Sequence, residues 1–82
     1  MKATYLIALF SSLDSAGGYL LPEKVLFADM NALLSTCITS TECRQLLHEQ
    51  ELKQQIVSQR DEFNTLKWKI TDNGRARLAE LR

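Results

Sequence analysis

The fold of this chain turns on the stretch Leu66-Lys67-Trp68-Lys69-Ile70-Thr71-Asp72-Asn73-Gly74-Arg75-Ala76-Arg77-Leu78-Ala79-Glu80-Leu81. Its period changes within a few residues. Leu66, Trp68 and Ile70 alternate with polar residues, the pattern of a half-buried strand. Thr71 then reads as a helix N-cap, with Asp72 placed in the first turn where a negative charge suits the helix dipole. Gly74, Leu78 and Leu81 share one face of the helix that follows. A strand therefore runs straight into a capped helix, and Trp68 is large enough to anchor both.

Upstream of this junction, Gln55 to Arg60 reads as a partner strand. The polar run Gln59-Arg60-Asp61-Glu62-Phe63-Asn64 contains the turn that joins the two into a hairpin. Before the hairpin, Thr39-Ser40-Thr41-Glu42 is a capping box, a hydroxyl at the N-cap with Glu at N3. It starts a third helix from Ser40 to about Leu52. Cys43, Leu46, Leu47 and Gln50 face inward, and Thr41, Arg44, Gln45 and His48 share the opposite, exposed face.

The N-terminal half supplies two more helices. Ala3, Leu6, Ile7, Phe10 and Leu13 recur at helical spacing, with Leu9 widening the stripe, so the first helix spans about residues 2–14. Thr4, Ala8, Ser11 and Ser12 form its weakly charged outer face. Ser15-Ala16-Gly17-Gly18 breaks it. A phosphate-cradling loop there would need a Lys and a helix N-terminus in register, and neither is present. Tyr19-Leu20-Leu21 is a short extended segment, and Pro22 suits the first position of the second helix. Val25, Leu26, Met30, Leu33 and Leu34 give that helix its buried face to about Ser35, with Phe27 at the edge.

Helix, short strand, helix, helix, two-stranded hairpin and C-terminal helix make an α+β chain, mainly α, in one domain over residues 1–82. In this order the chain resembles the winged-helix superfamily, in the form of small bacterial regulators of the MarR and PadR kind. Ile70-Thr71-Asp72-Asn73-Gly74-Arg75 looks like the family's L-T-x-x-G exit from the wing. Leu46-Leu47, then Ile56-Val57, then a charged loop follow the family's order. Where the family usually carries a glycine just ahead of the apolar pair, this chain has Gln54 or Gln55. The wing also lacks the acidic-basic-basic cluster of the MarR members.

The resemblance implies a winged helix-turn-helix that binds DNA and regulates transcription. The third helix would enter the major groove with Thr41, Arg44, Gln45 and His48, and the wing would offer Arg60, Asn64, Lys67 and Lys69 to phosphates. Arg and Gln can meet guanine and adenine edges with two prongs, and cations meet phosphate without reading sequence.

Charge argues the other way. Ten cations and ten anions leave a formal net charge of zero, which gives no general pull toward nucleic acid. The balance is uneven. Residues 1–52 hold three cations and six anions, and residues 53–82 hold seven cations and four anions. Glu42, Glu49 and Glu51 on the third helix would repel phosphate. The alternative is a winged helix that binds protein, such as a phage or plasmid inhibitor of a host factor or an adaptor subunit.

Nothing in the sequence points to an enzyme or a cofactor. His48 is the only histidine, and Glu49 beside it points elsewhere, so a surface role is expected. Cys37 and Cys43 are too few for a disulfide framework or a closed zinc site. They read as two thiols in a reducing compartment, although a bridge between them stays open. The apolar run Ala3 to Phe10 is too short to span a membrane. As a signal peptide it would put Asp14 three residues before the cut, where a small neutral side chain is needed. The expectation is a cytoplasmic protein and a homodimer through the first helix, the C-terminal helix or both. A domain of this length buries only roughly 60–65% of its unfolded surface, which makes association useful.

Overall fold

The computed structural model describes residues 3–82. The elements are α1 (Ala3–Ser15), β1 (Leu21–Pro22), α2 (Glu23–Leu33), α3 (Ser40–Leu52), β2 (Ile56–Arg60), β3 (Leu66–Ile70) and α4 (Asp72–Leu81). The architecture is mainly α with a three-stranded antiparallel sheet in the order β1-β3-β2. The element order and this sheet resemble a winged helix.

The hairpin forms as the alternation requires. Ile56 pairs with Ile70, Ser58 with Trp68 and Arg60 with Leu66. The inward residues Ile56, Trp68 and Ile70 are buried. The short extended segment becomes a third strand, since Leu21 pairs with Trp68 and Pro22 with Lys67. Proline is tolerable there because β1 is an edge strand, where a missing N–H costs no ladder bond on its open side.

The β3–α4 junction is held by Thr71. Its N–H donates to the Gln55 carbonyl at 3.1 Å. Its hydroxyl donates to the Gln54 carbonyl at 2.7 Å and accepts from the Gly74 N–H at 3.1 Å. One side chain thus caps α4 and ties it to the chain entering β2. A Cβ at position 74 would fall on the Gln55 carbonyl oxygen and within 2.6 Å of Ile70 Cγ1. Glycine is needed for this close approach of helix to strand. Gln54 sits at φ +61°, so the position ahead of the apolar pair does use the left-handed backbone that glycine would supply.

The turn between α2 and α3 is built from both ends. The Thr39 side chain accepts from the Glu42 N–H, and the Glu42 side chain accepts from the Thr39 N–H, completing the capping box. Ile38, before the cap, and Cys43, the fourth helical residue, are both buried in the same core cluster, the positions a hydrophobic staple uses. The Ile38 N–H also donates to Asn31 Oδ1 at 2.9 Å.

Several expected details differ. Ala3 is exposed, whereas Ala8 and Ser12, expected on the outer face of α1, are buried. The reason is tertiary. α1 packs on α2, α4 and β3 together, and Arg75 of α4 reaches Asp14 of α1 at 3.1 Å. Pro22 precedes α2 instead of opening it, because pairing with Lys67 holds it extended at ψ 147°.

The second helix ends at Leu33, short of Ser35, and Leu34 leaves it with φ −96° and ψ 139°. Val25 and Leu33 are exposed, against expectation. Val25 lies about 100° around the helix from Leu26, off the covered stripe. Leu33 lies on the stripe but lines a groove where α1 and the end of α2 part. Cys37 and Cys43 are free thiols, the first exposed and the second buried. No helix among the described residues is long and apolar enough to cross a membrane.

Candidate functional site

Thr41, Arg44, Gln45 and His48 are all exposed on α3. Their spacing puts them on one helical face. Arg44 is not free on that face. Its Nε lies 3.6 Å from the carboxylate of Glu23, in the first turn of α2. Lys24, Phe27, Ser40 and Cys43 complete a small cleft of about 220 Å³ between the starts of α2 and α3. Burial, followed by the nearby charge of Glu23, pushes the Cys43 thiol up to about 11, with Arg44 acting in the opposite direction. Cys43 is therefore a protonated core residue at neutral pH.

The hairpin tip is organised by one carboxylate. Asp61 Oδ1 accepts from the N–H groups of Phe63 and Thr65, each at 2.9 Å. The ammonium of Lys67 sits 3.4 Å from Asp61 Oδ2. The Thr65 N–H most of all, with the Phe63 N–H and Lys67, holds the Asp61 carboxyl below its ordinary value of 3.8, against the opposing effect of desolvation. Asn64 takes φ +61°. Its carbonyl accepts from the Arg60 guanidinium at 3.1 Å.

The predicted wing residues therefore divide. Arg60, Asn64 and Lys67 are engaged inside the turn, while Lys69 is exposed opposite Val57 with no ion-pair partner among the described residues. The charge on this side of the molecule is close to balanced. α3 carries one cation and three anions, and the hairpin carries three cations and two anions.

Three apolar side chains stand out here that the sequence reading did not assign to a site. Leu52 at the end of α3 is 85% exposed, Phe63 at the hairpin tip is 80% exposed and Val57 on β2 is 43% exposed. Strand alternation carried a signal for Val57, because an inward Ile56 requires an outward neighbour. Phe63 could be suspected from its place between Glu62 and Asn64 in a polar turn. Helical spacing carried a signal for Leu52, which lies four residues past His48 and so on the exposed face of α3. Val57, Glu51, Gln54 and Asp72 line one shallow hollow between the end of α3 and the start of α4. The Glu51 carboxylate accepts from the Ser58 hydroxyl, tying the last turn of α3 to β2. Among the described residues, no group of three or more His, Cys, Asp or Glu is placed to hold a metal ion.

Comparison with known proteins finds no matching family model, no matching curated protein and no matching solved structure, so the likeness to a winged helix rests on element order and sheet topology alone.

Proposed function

We propose that this chain is a small winged-helix-like module that binds another protein through α3 and the hairpin. One observation carries the reading. The cations on this side are largely taken up inside the chain, while Leu52, Val57 and Phe63 are left to solvent. Large apolar side chains left exposed, one of them aromatic, are what a protein-binding surface presents. Three anions on α3 further oppose a phosphate backbone.

The test pairs two measurements on the full chain. Duplex DNA of mixed sequence is titrated at low salt, and binding partners are captured from a bacterial lysate with and without Phe63→Ala and Leu52→Ser. The reading expects no retained DNA and a specific partner lost with both substitutions. DNA binding that weakens steeply with salt overturns it.

The second reading, a DNA-binding regulator, is favoured by the shared exposed face of Thr41, Gln45 and His48 on the second helix of a helix-turn-helix. Arg44 could leave Glu23 at little cost, because exposed ion pairs contribute only about 0.2–1 kcal/mol. Arg60, Asn64, Lys67 and Lys69 would then serve as phosphate contacts. Releasing Arg44 would leave Glu23, and releasing Lys67 would leave Asp61, as an unpaired carboxylate near the DNA, which is why this reading comes second. In both readings the chain works in the cytoplasm, in keeping with its two free thiols.

A further inference from the structure

The junction that places α4 also contains a chemically labile pair. Asn73-Gly74 is the one Asn-Gly step in the sequence. At such a step the glycine nitrogen, with no side chain to hinder it, can attack the side-chain amide of the asparagine. The fold does not leave glycine optional here, because a Cβ at position 74 would fall on the Gln55 carbonyl oxygen. Asn73 itself is exposed, while Gly74 is buried.

Two features hold the reaction off in the folded chain. Asn73 is helical, and in a helix each side chain tilts toward the N-terminus, away from the nitrogen of the next residue. The Gly74 N–H also donates to Thr71 Oγ1 at 3.1 Å, so the proton that must leave the nitrogen is engaged. We propose that Asn73 is a deamidation site gated by the Thr71 cap, and that its reaction irreversibly unlocks α4 from β2. When the first turn of α4 opens, base removes the Gly74 N–H proton and the nitrogen bonds to Asn73 Cγ. The Cγ–Nδ2 bond breaks and ammonia leaves, closing a cyclic imide. Water then opens the ring at either carbonyl. Attack at Cγ gives aspartate, and attack at the main-chain carbonyl gives isoaspartate. Aspartate adds a negative charge to the first turn, which suits the helix dipole. Isoaspartate inserts an extra carbon into the backbone between Thr71 and Gly74, so the cap bond and the close fit of Gly74 on Gln55 cannot both re-form. The proposal does not depend on what α3 and the hairpin bind.

The full chain is held in mildly alkaline buffer, folded and in urea, and conversion of Asn73 is followed by peptide mass spectrometry. The folded chain is expected to react about a hundredfold more slowly, because the cap and the Thr71 bonds to Gln54 and Gln55 must open first. Thr71→Val raises the folded rate by about tenfold, the usual weight of an N-cap, while Thr71→Ser, which keeps the hydroxyl, holds the wild-type rate. The isoaspartate product, separated by chromatography, unfolds at lower denaturant than the parent chain, and Asn73→Asp does not. Equal rates in the folded chain and in urea overturn the proposal, and that comparison uses no variant, so it stands even where Thr71→Val fails to fold. A folded rate that Thr71→Val leaves unchanged overturns it too. So does an isoaspartate chain as stable as its parent.

Discussion

Two residues of this chain share the same unusual backbone angle and do different things with it. Gln54, before β2, and Asn64, in the hairpin tip, both sit at φ +61°. Around Gln54 the polar network is structural. Its carbonyl and that of Gln55 accept from Thr71, and the whole of α4 is placed by those bonds. Around Asn64 the network is local. Asp61, Phe63, Thr65, Arg60 and Lys67 satisfy one another within a few residues. The first network couples parts of the fold distant in sequence. The second only shapes a loop that displays Phe63. A left-handed residue costs an ordinary side chain about 1–2 kcal/mol and asparagine much less. Strain is thus tolerated where it positions a helix, and largely avoided where it positions a loop.

The comparison can be broken most forcefully at Gly74. Gly74→Ala places a methyl on the Gln55 carbonyl, and chemical denaturation should show a loss of about 3 kcal/mol or more. An unchanged midpoint would mean that α4 is not locked to β2 as described.

Thr71→Val is the next step down. It removes the N-cap of α4 and leaves the Gln54 carbonyl without its donor, with an expected loss of about 1–2 kcal/mol. The matching change in the wing, Thr65→Val, should leave the denaturation curve where it is, because only the Thr65 backbone enters the tip network.

Smaller still is the effect of glycine at the two left-handed positions. Gln54→Gly relieves strain but loosens the unfolded chain, for a net gain of about 0.5–1 kcal/mol. Asn64→Gly should give no gain, because asparagine already tolerates the angle. Equal gains at both sites would erase the distinction between them.

The smallest global effect belongs to Asp61. Its carboxyl is held below the ordinary value in the folded chain, so its contribution is present above pH 3.8 and is lost as pH falls through the lower folded value. Asp61→Ala should speed amide exchange at Phe63 and Thr65 at neutral pH without moving the thermal midpoint. A shift of the whole unfolding transition would show that the tip is part of the core.

These contrasts also explain which features could be read in advance. The capping box at Thr39, the alternation of Leu66 to Ile70 and the cap at Thr71 all depend on neighbours within four residues. The structure places α3, β3 and the start of α4 where those signals put them. The misreadings at Ala8, Ser12 and Leu33 depend on which helix lies over which, whereas Val25 lies off the covered stripe by helical spacing alone. Periodicity tells that a helix has an inner face, but α4 closing over α1 widens that face, and the groove beside Leu33 narrows it. The candidate residues follow the same division. Helical spacing suffices to put Thr41, Arg44, Gln45 and His48 on one exposed face. It cannot reveal that Glu23 holds Arg44, or that Asp61 holds Lys67.

By itself, then, the sequence determined the elements, their order and the junction at Thr71, because caps, turns and alternation act over one or two turns of chain. Only the tertiary structure decided which charges stay free and which apolar side chains stay exposed. Many of those depend on contacts between residues far apart in the chain, such as Asp14 with Arg75 and Glu23 with Arg44, and on close approaches such as Gly74 to Gln55, which no local pattern encodes.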